Sequence, residues 1–91
     1  MSPRNDEKTA KDLGAEIRKR RVARGWTLRQ LAAEAELDFG YVGKIERGEV
    51  APVETYFRLV HALGLRLVIE IVENGRRSTQ REVAASFVRR A

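Results

Sequence analysis

Two short helical periods separated by only three residues constrain this chain more than any other feature. Thr27 opens the first as an N-cap, and its capping-box partner Gln30 stands three residues later. Leu28, Leu31, Ala32 and Ala35 then recur at helical spacing. Glu36-Leu37-Asp38 breaks the pattern, and Asp38 caps a second period in which Val42 and Ile45 face inward before Gly48 stops it. So short a break forces a steep crossing, and the second helix projects from the body. A projecting helix can enter a duplex major groove, ~12 Å wide. The first-turn amides at Thr27-Leu28-Arg29 can hold a phosphate. An ordinary helical hairpin in a small bundle is the reading that the pattern alone leaves open.

Around this pair the chain reads as follows. Residues 1–11 are polar, with an early Pro3, and are expected to be a mobile arm. A helix is expected from Asp12, with Leu13 and Ile17 one turn apart, ending at Gly25 with Arg24 in its last turn. Val22 points almost opposite Ile17, and Trp26 can staple onto Leu31. Residues 48–52 read as a loop. A further helix over 53–63 carries Val53, Tyr56, Phe57, Leu59, Val60 and Leu63 as a wide apolar stripe, closed by Gly64.

The period then changes to two. Leu65, Leu67, Ile69 and Ile71 share one face of a strand over 65–73, and Arg66, Val68, Glu70 and Val72 share the other. A lone strand leaves its ladder groups unpaired. Its natural mate is the same segment of a second copy, paired antiparallel about a twofold axis through Leu65, Leu67, Val68, Ile69, Glu70, Ile71 and Val72. A hairpin within the chain through the Asn74-Gly75 turn ranks second, because residues 76–80 have no apolar face. The basic segment 74–91 is either a frayed tail or a short helix, with Thr79-Gln80-Arg81-Glu82 as a capping box before Val83, Ala84, Phe87 and Val88.

Composition narrows the function classes. Ninety-one residues make one domain plus tails, and 43% hydrophobic with 34% charged residues marks a globular chain. Cysteine is absent and His61 stands alone, so thiolate catalysis, cysteine-bound zinc and multi-histidine metal sites are excluded. No apolar run approaches the ~18 residues of a membrane span, and no signal-peptide core is visible, so a cytoplasmic location is expected. The net charge of +5 favours a polyanionic partner. Arg18, Lys19, Arg20, Arg21 and Arg24 cluster locally, and a solvated helix face explains such a cluster as well as a phosphate contact does. His61 has no visible catalytic partner, and neither a phosphate loop nor a cofactor motif occurs, so no enzyme activity and no cofactor are expected. Gly40-Tyr41-Val42-Gly43 fits the GXXG loop of RNA-binding KH domains, but such a domain needs a three-stranded sheet this chain cannot supply. A protein-interaction adaptor without DNA contact is the other competing class.

Residues 13–64 resemble the Xre-type helix-turn-helix family of phage repressors and Cro. The resemblance rests on Ile17-Arg18, Arg21, Gly25-Trp26-Thr27, Leu31-Ala32, Ile45-Glu46-Arg47-Gly48-Glu49 and Ala62-Leu63-Gly64, all in register. The continuation Leu65–Glu73 further resembles the HipB-type antitoxin subgroup. The implied fold is an all-α helix-turn-helix domain of four to five helices over 12–64, with one C-terminal strand over 65–73 that pairs across a homodimer. The implied function is a sequence-specific transcriptional repressor that binds a palindromic operator in double-stranded DNA. It is either an autoregulatory antitoxin, with a toxin such as a HipA-type kinase as partner, or a stand-alone regulator.

The resemblance also places residues. It implies a recognition helix from Phe39 to Arg47, with Phe39, Gly40, Tyr41, Gly43 and Lys44 toward the groove. Thr27, Leu28, Arg29, Asp38 and Arg47 complete the expected DNA interface. Arg21 and Glu46 match an ion pair that ties the first helix to the recognition helix; direct phosphate contact is the other role open to Arg21. The chain departs from the family at three places. Leu28 stands where glutamine often braces a base reader, so backbone contact there falls to amides or to Arg29. Glu36 replaces the usual turn glycine, at ~1 kcal/mol if left-handed. Arg20 takes a commonly apolar position, where its stem can cover the core. Lys44 can donate to guanine, and Phe39 and Tyr41 can touch thymine methyls. Phe39 also has a core reading, and Tyr41 a phosphate reading. With two glycines on the recognition helix, indirect readout is expected to weigh heavily.

Overall fold

The computed structural model describes residues 5–71 and 83–89. It contains α1 (Asn5–Ala23), α2 (Leu28–Ala35), α3 (Phe39–Glu46) and α4 (Val53–Ala62), followed by β1 (Leu65–Ile71) and β2 (Val83–Arg89). Ile17, Leu31, Val42, Ile45, Leu59 and Val60 have no exposed surface, so all four helices contribute to one core. Leu13, Ala32, Ala35, Tyr56, Leu63, Leu65 and Leu67 complete it. Burial pushes the pKa of the Tyr56 phenol above its ordinary value, and its hydroxyl donates to the Glu49 carbonyl oxygen at 3.3 Å.

The first helix is longer than its sequence period suggests. It begins at Asn5 rather than near Asp12, so residues 5–11 are helical and not an arm. The inner position of this extra turn is Ala10, which is 2% exposed and too small to announce an apolar stripe. Val22 is exposed, as its angular position requires.

Between α2 and α3, Glu36 takes the left-handed conformation (φ 60°) that the expected turn demands. This lets the Glu36 amide donate to the Ala33 carbonyl at 3.2 Å and the Leu37 amide to the Ala32 carbonyl at 2.9 Å. The last carbonyls of α2 are satisfied, at a cost of about 1–2 kcal/mol for a residue with a Cβ. The link is three residues long, and α2 and α3 pack directly on each other.

The strand after α4 forms as expected, but its described partner lies in the same chain. β2 runs antiparallel to β1, from Leu65 opposite Arg89 to Ile71 opposite Val83. This corrects two expectations: a single strand without an internal mate, and, over residues 83–89, a helix or frayed tail. An isolated β1 would leave ladder groups unpaired on both edges, and the segment with Val83, Phe87 and Val88 satisfies one of them. The return strand begins well beyond the 76–80 segment that was weighed for that role. Residues 1–4, Val72, the Asn74-Gly75 turn and the Thr79–Glu82 capping box lie outside the described residues. Leu65 and Leu67 of β1 are buried where β1 packs on α4, whereas Ile69 and Ile71 on the same face are 37% and 84% exposed. The apolar face of the strand overhangs the helical body.

Candidate nucleic-acid interface

The candidate interface is built around the free N-terminal end of α3 and the adjoining N-terminus of α2. Thr27 and Gln30 form the full capping box. The Thr27 hydroxyl accepts from the Gln30 amide at 3.1 Å, and the Gln30 side-chain oxygen accepts from the Thr27 amide at 2.7 Å. Cap loss at such a position costs about 1 kcal/mol. The Asp38 carboxylate caps α3 by accepting from the Tyr41 amide at 3.1 Å. Both helices therefore start at fixed residues, and both starts are exposed.

The opposite end of α3 is clamped. Arg21 of α1 meets Glu46 in a two-point contact, Nε to Oε2 at 2.8 Å and Nη2 to Oε1 at 3.0 Å, while its Nη1 donates to the Trp26 carbonyl at 2.8 Å. Both side chains are nearly buried, at 11% and 3% exposure. The guanidinium thus ties α3 and the α1–α2 turn to one helix. Close by, α1 lies almost in backbone contact with the end of α3. A Cβ on Gly14 would overlap the Ile45 carbonyl oxygen.

With its C-terminal half held, α3 presents a defined outer flank. Phe39, Gly40, Lys44 and Arg47 are exposed, as are Thr27, Arg29 and Asp38 beside them. Tyr41 and Leu28 are half-buried and pack against the core. Gly43 lies elsewhere: it is buried, and a Cβ there would meet Leu28 Cδ1 at 3.5 Å and Arg47 Nη1 at 3.4 Å. It lies beneath the ends of the Leu28 and Arg47 side chains rather than on the outward surface expected for it. Phe39 does not belong to the core. It is 41% exposed, and the Arg29 guanidinium carbon sits 3.9 Å from its ring centroid. No sequence signal joins these two residues, because only the crossing of α2 and α3 brings them together. Arg20 is half-buried, and its Nε donates to Glu16 Oε2 at 2.7 Å.

Among the described residues, no group of three or more His, Cys, Asp or Glu is placed to hold a metal ion. No described helix is long and apolar enough to cross a membrane.

A tight three-residue link, a clamped second helix and an exposed outer flank on that helix define a helix-turn-helix unit. The family comparison agrees: the helix-turn-helix family model (HTH_3) matches residues 17–69. The chain belongs to this family. Curated relatives include the transcriptional regulator ClgR of Mycobacterium tuberculosis strains CDC 1551 / Oshkosh and ATCC 25618 / H37Rv, each 32% identical over 71 residues. The alignment covers 77% of this chain and 63% of each relative, so the chain spans less than two thirds of their length. No solved structure matches the chain significantly.

Proposed function

We propose that this protein is a DNA-binding transcriptional regulator without enzymatic activity, acting as a repressor on a palindromic operator. The observation that carries this reading is the exposed flank of α3 beside the exposed N-terminus of α2. Phe39, Gly40 and Lys44 lie exposed along a helix that a major groove is wide enough to admit. The first-turn amides of α2 and the exposed Arg47 supply positive potential for phosphates on either side. Relatives named transcriptional regulators support the same reading.

The test is selection of bound duplexes from a random pool with the full chain. Enrichment of a defined half-site is expected. Lys44→Ala is then expected to relax the preference at one base pair by about 1–3 kcal/mol while leaving the rest of the site intact. Absence of duplex binding at low salt by folded protein would refute the reading.

The operator is read by a homodimer in this proposal, and the exposed apolar face of β1, rather than its pairing, supports it. Ile69 and Ile71 extend the apolar face of β1 past the body. Phe57, 43% exposed, faces a groove of about 540 Å³ that Leu65 and Leu67 also line. Glu54 stands on that rim with Arg58 and Arg66, so a second copy related by a twofold axis can match acid to base. The edge of β1 away from β2 carries no strand among the described residues. Two recognition helices would then sit ~34–36 Å apart, one duplex turn. Sedimentation of wild type should give twice the chain mass, and Ile69→Lys with Ile71→Lys should give the single chain mass. A monomeric wild type, or an unaltered dimer in the variant, would remove this element.

A second reading adds a toxin partner, such as a HipA-type kinase, and makes the protein an autoregulatory antitoxin of its own operon. Strand β1 following α4 directly through Gly64 favours it. Stable co-purification with the product of a neighbouring gene is the expected outcome of this reading, and its failure would leave the stand-alone regulator.

A further inference from the structure

On the outer flank of α3, few groups can discriminate bases by paired hydrogen bonds. Gly40 has no side chain, Gly43 is buried, and Leu28 packs against the core. The Gln30 side-chain oxygen is taken by the Thr27 amide. Lys44 is a flexible point charge without the fixed planar fork of a guanidinium. Arg29 is the planar donor that stands at the leading end of α3, although it belongs to α2. Its guanidinium carbon is held 3.9 Å from the centroid of the Phe39 ring, and both residues are exposed.

From this geometry we infer that Arg29 and Phe39 act as one composite reader of a thymine–guanine step. The inference rests on the DNA-binding reading above and deepens it. The guanidinium donates two parallel hydrogen bonds to guanine O6 and N7, and the ring packs against the 5-methyl group of the neighbouring thymine. The spacing favours this division of labour. A separation of 3.9 Å between guanidinium carbon and ring centroid is close to the ~3.4 Å rise of one base step. A guanidinium level with one base pair therefore sets the ring level with the next. The stack also restricts a long side chain that would otherwise lose freedom on binding.

The test uses the full chain and the duplex enriched by wild type from a random pool. The enriched half-site is expected to contain a thymine–guanine step. Replacing that guanine should weaken wild-type binding about tenfold or more. Replacing the thymine by uracil, which removes only the methyl, should weaken it about fourfold. Arg29→Lys keeps the charge and should lose the guanine preference; Phe39→Leu should abolish the uracil effect. Both substitutions are at exposed positions, and matching melting curves would show that the fold is intact. A half-site without the step, a silent uracil substitution, or guanine preference retained by Arg29→Lys would overturn the composite reader while leaving DNA binding in place. If no duplex is enriched at all, both readings fall.

Discussion

Arg21→Ala is expected to lower stability by about 3–5 kcal/mol, a fall in melting temperature of roughly 15 °C or more for a domain of this size. The Glu46 carboxylate is 3% exposed and takes a charge-assisted hydrogen bond from Arg21 on each oxygen. Removing the guanidinium leaves a buried carboxylate with neither solvent nor partner, and it also strips the Trp26 carbonyl of its donor. The loss therefore exceeds what the intact pair contributes, since forming it already required taking two charges out of water. The double variant Arg21→Met with Glu46→Leu should regain most of the loss, because no unpaired charge remains. Thermal and urea unfolding of Arg21→Met, of Glu46→Leu and of the double variant would give the coupling directly. A loss below about 1 kcal/mol in Arg21→Ala would show that the contact behaves like a solvent-screened surface pair. The Trp26 contact ties the same guanidinium to the turn before α2, so duplex affinity should fall along with stability.

The parts of this fold written in local chemistry were legible in the sequence, and those arising between distant segments were not. Thr27 and Gln30 announce a cap, and the structure contains it. The Glu36 turn was legible only through the family resemblance, as a place that glycine usually fills, and φ there is 60°. The start of α1 was hidden because Ala10 fills a buried position without looking hydrophobic. The return strand was missed for a different reason. A turn dipeptide at Asn74-Gly75 directs attention to the residues right after it, whereas β2 begins only at Val83. At the interface, the position of Gly43 in the helix suggests the outer flank, but the side chains of Arg47 and Leu28 cover it. The Arg29–Phe39 stack depends on how α2 crosses α3, which no spacing along the chain encodes.

Gly14→Ala carries the second large effect, because of what the added methyl group would meet. In an exposed helix interior this change stabilises by up to about 1 kcal/mol, through helix propensity alone. Here the Cβ would overlap the Ile45 carbonyl oxygen and lie 3.1 Å and 3.2 Å from the Glu46 carbonyl oxygen and carbon. These are backbone atoms of α3, so no side chain can rotate away. Either α1 withdraws from α3, which strains the Arg21–Glu46 contact, or the end of α3 is displaced. Overpacking of this kind costs about 1–3 kcal/mol, and more when rigid backbone must move. A net loss of about 2 kcal/mol or more is expected, or roughly 10 °C in melting temperature. The same substitution at Gly43 supplies the contrast. There the Cβ would meet only a leucine methyl at 3.5 Å and the tip of the Arg47 side chain at 3.4 Å, both of which can adjust. Gly43→Ala should therefore be neutral or gain up to about 1 kcal/mol. If Gly14→Ala proved as stable as wild type, α3 would not be held by backbone approach at its C-terminal end. The exposure of its other end would then need a different support.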